Sequence, residues 1–294
     1  MLSARYVGPQ TGEKSVLFFP GHADRRRPVT PSWKEQMQRE AILFDVADNI
    51  ATITLNRPES LNSFNNAMAE DMQWAWETVR DRDDIYCVVL QANGERAFCT
   101  GLDLADGSPW FMKDNDWNSF DPGVTLGPKL HHKVWKPVVT AVHGFCAGGA
   151  QYFLNESDIV ICSEDALFFD PHANVGIVSA LEPIGMLHRG VPLGDVLRWA
   201  LMGNEERITA ETALRLGLVT EIVPREALRE RAREIASSIA RRNPKAIQGT
   251  IRAIWESLDM TRTPALQNGF SYTLIGNFPS NPPAPRDKSE TRYR

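Results

Sequence analysis

Three uninterrupted apolar runs, "YCVVLQA", "PVVTAVHG" and "DIVICS", set the strongest limit on what this chain can fold into. A strand that is apolar at every position has to be covered on both faces, which is the situation of a central strand in a parallel sheet flanked by helices. Helical patterns separate the runs, so βα crossovers and an α/β fold are expected. Upstream, "AILFDVADNIATITLN" holds two alternating runs on either side of the polar pair Asp48 and Asn49, the signature of a β-hairpin. Met68, Met72, Trp76 and Val79 then recur at helical spacing, which predicts a helix from about Asn65 to Arg80 with one apolar face.

Beyond about Leu193 the strands largely stop. "DVLRWALMG", "TAETALRLG", "REALRERAREIASSIARR" and "PKAIQGTIRAIWESL" are amphipathic helical patterns broken by the short apolar run "LVTEIVP". The expected division is an N-terminal extension over 1–38, a core over 39–195, a helical region over 196–276 and a mobile tail over 277–294, the two ends being rich in proline, glycine and charge.

Composition narrows the function classes. A formal charge of −5 gives no general attraction to nucleic acid or to an anionic membrane, and the single compact basic run, Arg25 to Arg27, reads as a solvated cluster. Cys87, Cys99, Cys146 and Cys162 form no CxxC pair and no metal-ligand spacing with the histidines, so buried, reduced thiols and no metal are expected. No apolar run approaches the ~18 residues of a membrane span, which leads to the expectation of a cytoplasmic protein. A nucleotide-binding α/β domain is set aside because neither GxGxxG nor a lysine-bearing phosphate loop is present.

Two glycine turns carry the chemistry. "RAFCTGLDL" places Gly101 after an apolar segment and before a helix-like start that Asp103 could cap, and "FCAGGA" follows the "PVVTAVHG" run. Glycine permits close backbone approach and a helix N-terminus adds partial positive charge, so each turn can offer an N–H to a developing oxyanion.

"LNRPESLNSFN", "RAFCTGLDL", "KPVVTAVHGFCAGGA", "SDIVICSEDALFFDP" and "LMGNEERITAETALRLGLVTEIVP", five blocks in order over about residues 40 to 260, resemble the enoyl-CoA hydratase/isomerase family of the crotonase superfamily. The resemblance implies the crotonase (ClpP/crotonase-like) fold of repeated ββα units with a C-terminal helical trimerisation region, a homotrimer or dimer of trimers, and an acyl-CoA thioester as ligand, with no separate cofactor. It places the two oxyanion donors at Thr100 and Gly149. It also aligns Arg57, Asn62, Ala97, Gly101, Leu102 and Asp103 with segments that hold the coenzyme A moiety in relatives.

The sequence departs from that pattern where protons are moved. Patterns like GGGCE and PE lead one to expect two glutamates, but "GGAQY" has Tyr152 and "DPH" has His172. Tyrosine is a poor base near neutrality, whereas imidazole titrates there. His172 is therefore the leading proton-transfer candidate, Asp170 two residues away its partner, Tyr152 a weaker candidate, and Glu182 a substitute carboxylate. His143 is expected to be structural, and His131 and His132 to lie solvent-exposed on a helix. The aromatic stretch between Ala105 and Lys129 reads either as a lid lining a pocket for a bulky or cyclic acyl group or as the seal of a core edge or subunit contact. Hydration or isomerisation of an enoyl-CoA is the expected reaction, with β-diketone hydrolysis and a non-catalytic acyl-CoA-binding role as rivals.

Overall fold

Strands β1 (Ile42–Ala47) and β2 (Ile50–Leu55) open the fold as the expected hairpin, with Asp48 and Asn49 both at positive φ. That conformation gives a two-residue turn whose twist matches its strands. The computed structural model describes residues 39–106, 109–112 and 116–276; the expected extension over 1–38 and tail over 277–294 lie outside them. Helix α1 (Asn66–Asp81) follows, its first turn capped by the Asn65 side chain, which accepts the N–H of Met68 at 3.0 Å. Met68, Met72, Trp76 and Val79 are fully buried along it, as their spacing predicts.

The three apolar runs become β3 (Cys87–Ala92), β5 (Val138–Val142) and β7 (Ile159–Ser163), parallel neighbours in a six-stranded sheet ordered β1-β2-β3-β5-β7-β10, where β10 is Glu221–Val223. Both faces are covered, and alternate residues go to opposite sides. Val88, Leu90, Val142 and Val160 join the core beneath α1, while Val89, Val139 and Ile161 pack with Leu228, Ala232 and Ala236 of α7 (Leu228–Ala240). A period of two is thus present in each run, hidden because both faces are apolar.

Each of those strands is followed by a three-residue strand in a second sheet. Strands β4 (Ala97–Cys99), β6 (Phe145–Ala147) and β8 (Leu167–Phe169) lie side by side and parallel, with β9 (Ile208–Thr209) antiparallel at the edge. Short helices complete the units: α2 (Gly123–Leu126), α3 (Gln151–Asn155) and α4 (Leu181–His188). This is the repeated ββα arrangement implied by the resemblance. Beyond it come α5 (Leu193–Met202), α6 (Ala210–Arg215), α8 (Pro244–Ser257) and α9 (Arg262–Gly276). The expected division at 195/196 falls inside α5, and the described residues from Arg39 to Gly276 belong to one compact unit.

Buried polar groups brace α2 and the turns that lead into β5 and β7. Trp76 Nε1 donates to the carbonyl of Leu126 at 2.9 Å, tying α1 to α2. Asp158 accepts from the N–H of Val138 at 2.7 Å and pairs with the buried Lys129 at 2.7 Å. Glu156 accepts the N–H groups of Lys129 and Leu130 at 2.5 and 3.1 Å, and burial pushes its carboxyl up to about 7. His132 departs from expectation: residues 128–132 form turns, not a helix, and His132 is buried while His131 is exposed. His143 is buried as expected, and burial lowers its pKa to about 4.

Candidate active site

The small sheet delivers three functional segments to one place. Thr100 follows β4, Gly148 and Gly149 follow β6, and Asp170 and His172 follow β8. The two glycine turns meet: a Cβ built on Gly101 would stand 3.0 Å from the nitrogen of Gly149 and 3.1 Å from the carbonyl oxygen of Ala147. Gly101 also has φ +83°, so both space and backbone require glycine there. Gly149 opens onto Phe64, whose Cζ would lie 2.5 Å from a Cβ at that position. Thr100 and Gly149, the expected oxyanion donors, therefore sit on touching turns, at the start of the 3-10 turn Gly148–Ala150 that leads into α3.

The first turn differs from expectation in one respect. No helix follows Gly101; the carbonyl of Gly101 accepts the N–H of Phe64 at 2.8 Å and the N–H of Asp103 donates back to Phe64 at 3.0 Å, which holds the segment extended. Asp103 caps only a local turn, accepting the N–H of Ala105 at 3.2 Å, and its other oxygen pairs with Arg57 at 2.9 Å. Arg57 also donates to the carbonyl of Ser63. Asn62 and Ala97 stand behind this surface. Asn62 is wholly buried, its Oδ1 accepting the N–H of Arg57 and its Nδ2 donating to the carbonyls of Asn93 and Ala97. Their place is to shape the turn, leaving Arg57, Leu102 and Asp103 as its half-open face over the buried Gly101.

His172 lies on a 3-10 turn, His172–Val175, and not on the extended segment anticipated from its spacing with Asp170. The turn nonetheless brings the pair together, with Nδ1 of His172 and Oδ1 of Asp170 at 2.5 Å; the N–H of His172 donates to the same oxygen at 3.1 Å. On the other side of the ring, Nε2 is 3.9 Å from Oε1 of Glu182, and Cε1 would be 3.6 Å from a Cβ on Gly148. The imidazole thus stands between two carboxyl groups and beside the Gly148 turn. Its hydrogen bond with Asp170 raises its pKa above the usual 6.5, burial opposes this, and the charges of Asp170 and Glu182 add to the rise. Glu182 is buried at the first turn of α4, and burial lifts its carboxyl above the usual range. Asn155, at the end of α3, donates to the carbonyl of Glu182 at 2.9 Å and fixes it there.

Tyr152 lies buried in α3 beside Asp121. Its hydroxyl bonds to Asp121, and burial, then the charges of Glu182 and Asp121, push its pKa far up, so the phenol stays protonated. Asp121 itself is half-buried and also accepts the N–H of Gly123 at 2.8 Å. Nothing in the sequence marks it out, because "SFDPG" reads as a turn. From the aromatic stretch, Trp110 packs edge-on against Phe64 with centroids 5.8 Å apart and donates from Nε1 to Thr125 at 3.0 Å, forming a wall beside Gly149. Trp117 is exposed, and residues 107, 108 and 113–115 lie outside the described part. Among the described residues no cluster of His, Cys, Asp and Glu could hold a metal ion, and no helix is long and apolar enough to cross a membrane.

Two sheets built from alternating strands of repeated ββα units, with touching glycine turns at their seam, define a protein of the crotonase superfamily. Over residues 45–275 the sequence matches the family described as Enoyl-CoA hydratase/isomerase, and the chain belongs to that family. An (E)-benzylidenesuccinyl-CoA hydratase from Thauera aromatica is 32% identical over 241 residues, covering 80% of this chain and 88% of that protein. A short-chain-enoyl-CoA hydratase from Clostridium acetobutylicum is 29% identical, covering 74% and 82%. Among solved structures, an enoyl-CoA hydratase/isomerase from Mycobacterium paratuberculosis superposes with a TM-score of 0.73 at 34% identity, covering 81% of this chain and 90% of that one.

Proposed function

We propose that this acyl-CoA enzyme adds water to an enoyl-CoA thioester, or removes it in reverse, with His172 and Glu182 moving the protons. The observation that carries the reading is the imidazole held by Asp170 at 2.5 Å, with Nε2 facing Glu182 and the ring against Gly148. The thioester oxygen lies between the N–H groups of Thr100 and Gly149, which stabilise the enolate as charge develops. His172 Nε2 takes a proton from water as its hydroxyl adds to Cβ, and Glu182, kept partly protonated by burial, gives a proton to Cα. The site is then left with imidazolium and carboxylate 3.9 Å apart, and one proton passing between them restores the starting state. Arg57 and the Gly101 to Asp103 face are assigned to the coenzyme A moiety.

The His172 pair favours catalysis over a binding-only role, since a protein that only binds has no use for an imidazole held between two carboxyl groups. The Trp110 and Phe64 wall, together with the relative named for (E)-benzylidenesuccinyl-CoA, supports an acyl group larger than crotonyl, an aryl group in particular.

A panel of crotonyl-, cyclohexenoyl- and cinnamoyl-CoA tests this by loss of enoyl absorbance. Because the working pair carries one proton, on Glu182 with His172 neutral, the rate is expected to be bell-shaped in pH, with the raised His172 pKa, above 6.5, on the falling limb. Asp170→Asn removes the largest raising influence, so the falling limb moves to lower pH and the maximum drops ~10-fold or more. No turnover of any enoyl-CoA, or a limb unmoved in the variant, refutes the assignment.

The exposed apolar side chains Leu197 and Leu201 of α5 and Leu266, Phe270 and Ile275 of α9 are consistent with a homotrimer or a dimer of trimers. Light scattering is expected to give three or six chain masses, and a monomer would end that reading.

A further inference from the structure

Glu182 stands in the first turn of a helix that lacks a capping side chain of its own. At the cap position of α4, Ala180 has no side chain that could accept the free N–H groups of that turn. The tie comes from α3 instead. Asn155 Nδ2 donates to the carbonyl of Glu182 at 2.9 Å, and Asn155 Oδ1 accepts from Nε2 of Gln151 at 2.9 Å, so both ends of the amide are used and its orientation is fixed. Gln151 is buried and follows directly on the Gly148–Ala150 turn that carries Gly149. Past the far end of α4, Arg189 donates to the carbonyls of Asn155 and Ser157 at 3.3 and 2.8 Å.

Gly185 is the second observation. Glycine is a poor helix former, and in the middle of α4 it calls for a reason. A Cβ there would overlap Asn155 Nδ2 and stand 2.5 Å from Asn155 Cγ, so the amide reaches Glu182 only because that side chain is missing.

We propose that Asn155 is the positioning residue of Glu182: seated in the space left by Gly185, it ties the first turn of α4 to the helix that grows out of the Gly149 turn, and so holds the carboxyl 3.9 Å from His172 Nε2. The donor for the thioester oxygen and the acid for its α-carbon then share one five-residue helix as their spacer. As a statement about rate this rests on the hydration reading; as a statement about where Glu182 stands it does not. The titratable groups around Glu182 are His172 and Asp170 from the end of β8, Asp121 from the segment before α2 and Tyr152 from α3. Burial is the largest influence on its carboxyl and raises it, so a carboxyl let out towards water titrates at lower pH.

Asn155→Ala removes the amide and Gly185→Ala pushes it aside. Each is expected to lower kcat at least tenfold on an enoyl-CoA the wild type accepts, with butyryl-CoA affinity, by calorimetry, within threefold. The double variant should fall within threefold of Asn155→Ala alone, because the new methyl then meets no amide and both changes break one contact. Titration of Glu182, followed by the infrared band of its protonated carboxyl and identified by loss of that band in Glu182→Gln, should move to lower pH in each single variant. Asn155→Ser, whose hydroxyl ends short of the carbonyl, carries the same expectations if Asn155→Ala does not fold. An unmoved titration in folded variants, whatever kcat does, or losses that multiply in the double variant, overturn the proposal. If no enoyl-CoA turns over in the wild type while the titration moves in both variants, hydration falls and the positioning stands; if the wild type turns over and the titration stays, hydration stands and the positioning falls. A titration that moves with kcat unchanged takes Glu182 out of the reaction and leaves its anchor in place.

Discussion

His172→Ala is expected to lower kcat on an accepted enoyl-CoA by ~10²–10⁴, the usual worth of a positioned acid/base group, while butyryl-CoA binding changes by no more than about threefold. The ring is held on one side by Asp170 at 2.5 Å and faces Glu182 on the other, so its loss removes the base and leaves Glu182 with no partner to reprotonate it. The glycine turn is expected to keep its place, because even a Cβ built on Gly148 would meet Cε1 of the ring only at 3.6 Å, the distance of ordinary packing. Stopped-flow absorbance and calorimetry on one preparation separate the two quantities. Loss of binding in step with turnover would make His172 a structural wedge, and unchanged kcat would move the proton transfer elsewhere.

Gly149→Ala is expected to reduce kcat by ~10²–10³ with a smaller effect on thioester affinity, since the donor it carries works hardest once the oxygen is charged. Its φ is not in the left-handed region, so the backbone tolerates alanine; the bar is Phe64, whose Cζ would be 2.5 Å from the new methyl. The methyl must push either the ring or the turn, and the ring is buried between Trp110 and Phe153. Combining the change with Phe64→Leu makes room and is expected to recover at least tenfold of the lost rate. Failure of the double variant to recover would mean that the methyl occupies the thioester's own space. A Gly149→Ala protein of wild-type kcat would remove this N–H from the mechanism.

Much of the scaffold is legible in the chain because it is written locally. The Asp48–Asn49 hairpin is fixed by two adjacent residues at positive φ, and α1 by four apolar positions and the Asn65 cap, all within one short window. The three central strands announce themselves by covering both faces. The small sheet does not, since strands of three residues such as β4, β6 and β8 are too short to show any period. The candidate site divides in the same way. Asp170 and His172 are two residues apart, so their pairing is visible in the sequence even though a 3-10 turn and not a strand achieves it. Asp121 and Tyr152 are 31 positions apart and meet only because the segment before α2 folds back onto α3, which no spacing rule reports. The helix expected after Gly101 fails to form because Phe64 takes both backbone partners there, and His132 is buried by a turn where a helix would have exposed it.

The alternation of strands between two sheets also works as a ruler. Strands β4, β6 and β8 are consecutive rungs, and rungs in a sheet are spaced by ~4.8 Å, so the groups that follow them are laid out across roughly 10 Å in a fixed order. That order is Thr100, then Gly148 and Gly149, then Asp170 and His172. The first two tips touch, so a change at either is felt by the other, whereas the third ends in a 3-10 turn of its own. Under the proposed mechanism, a new proton carrier at the third tip is a change of reagent on an unchanged jig.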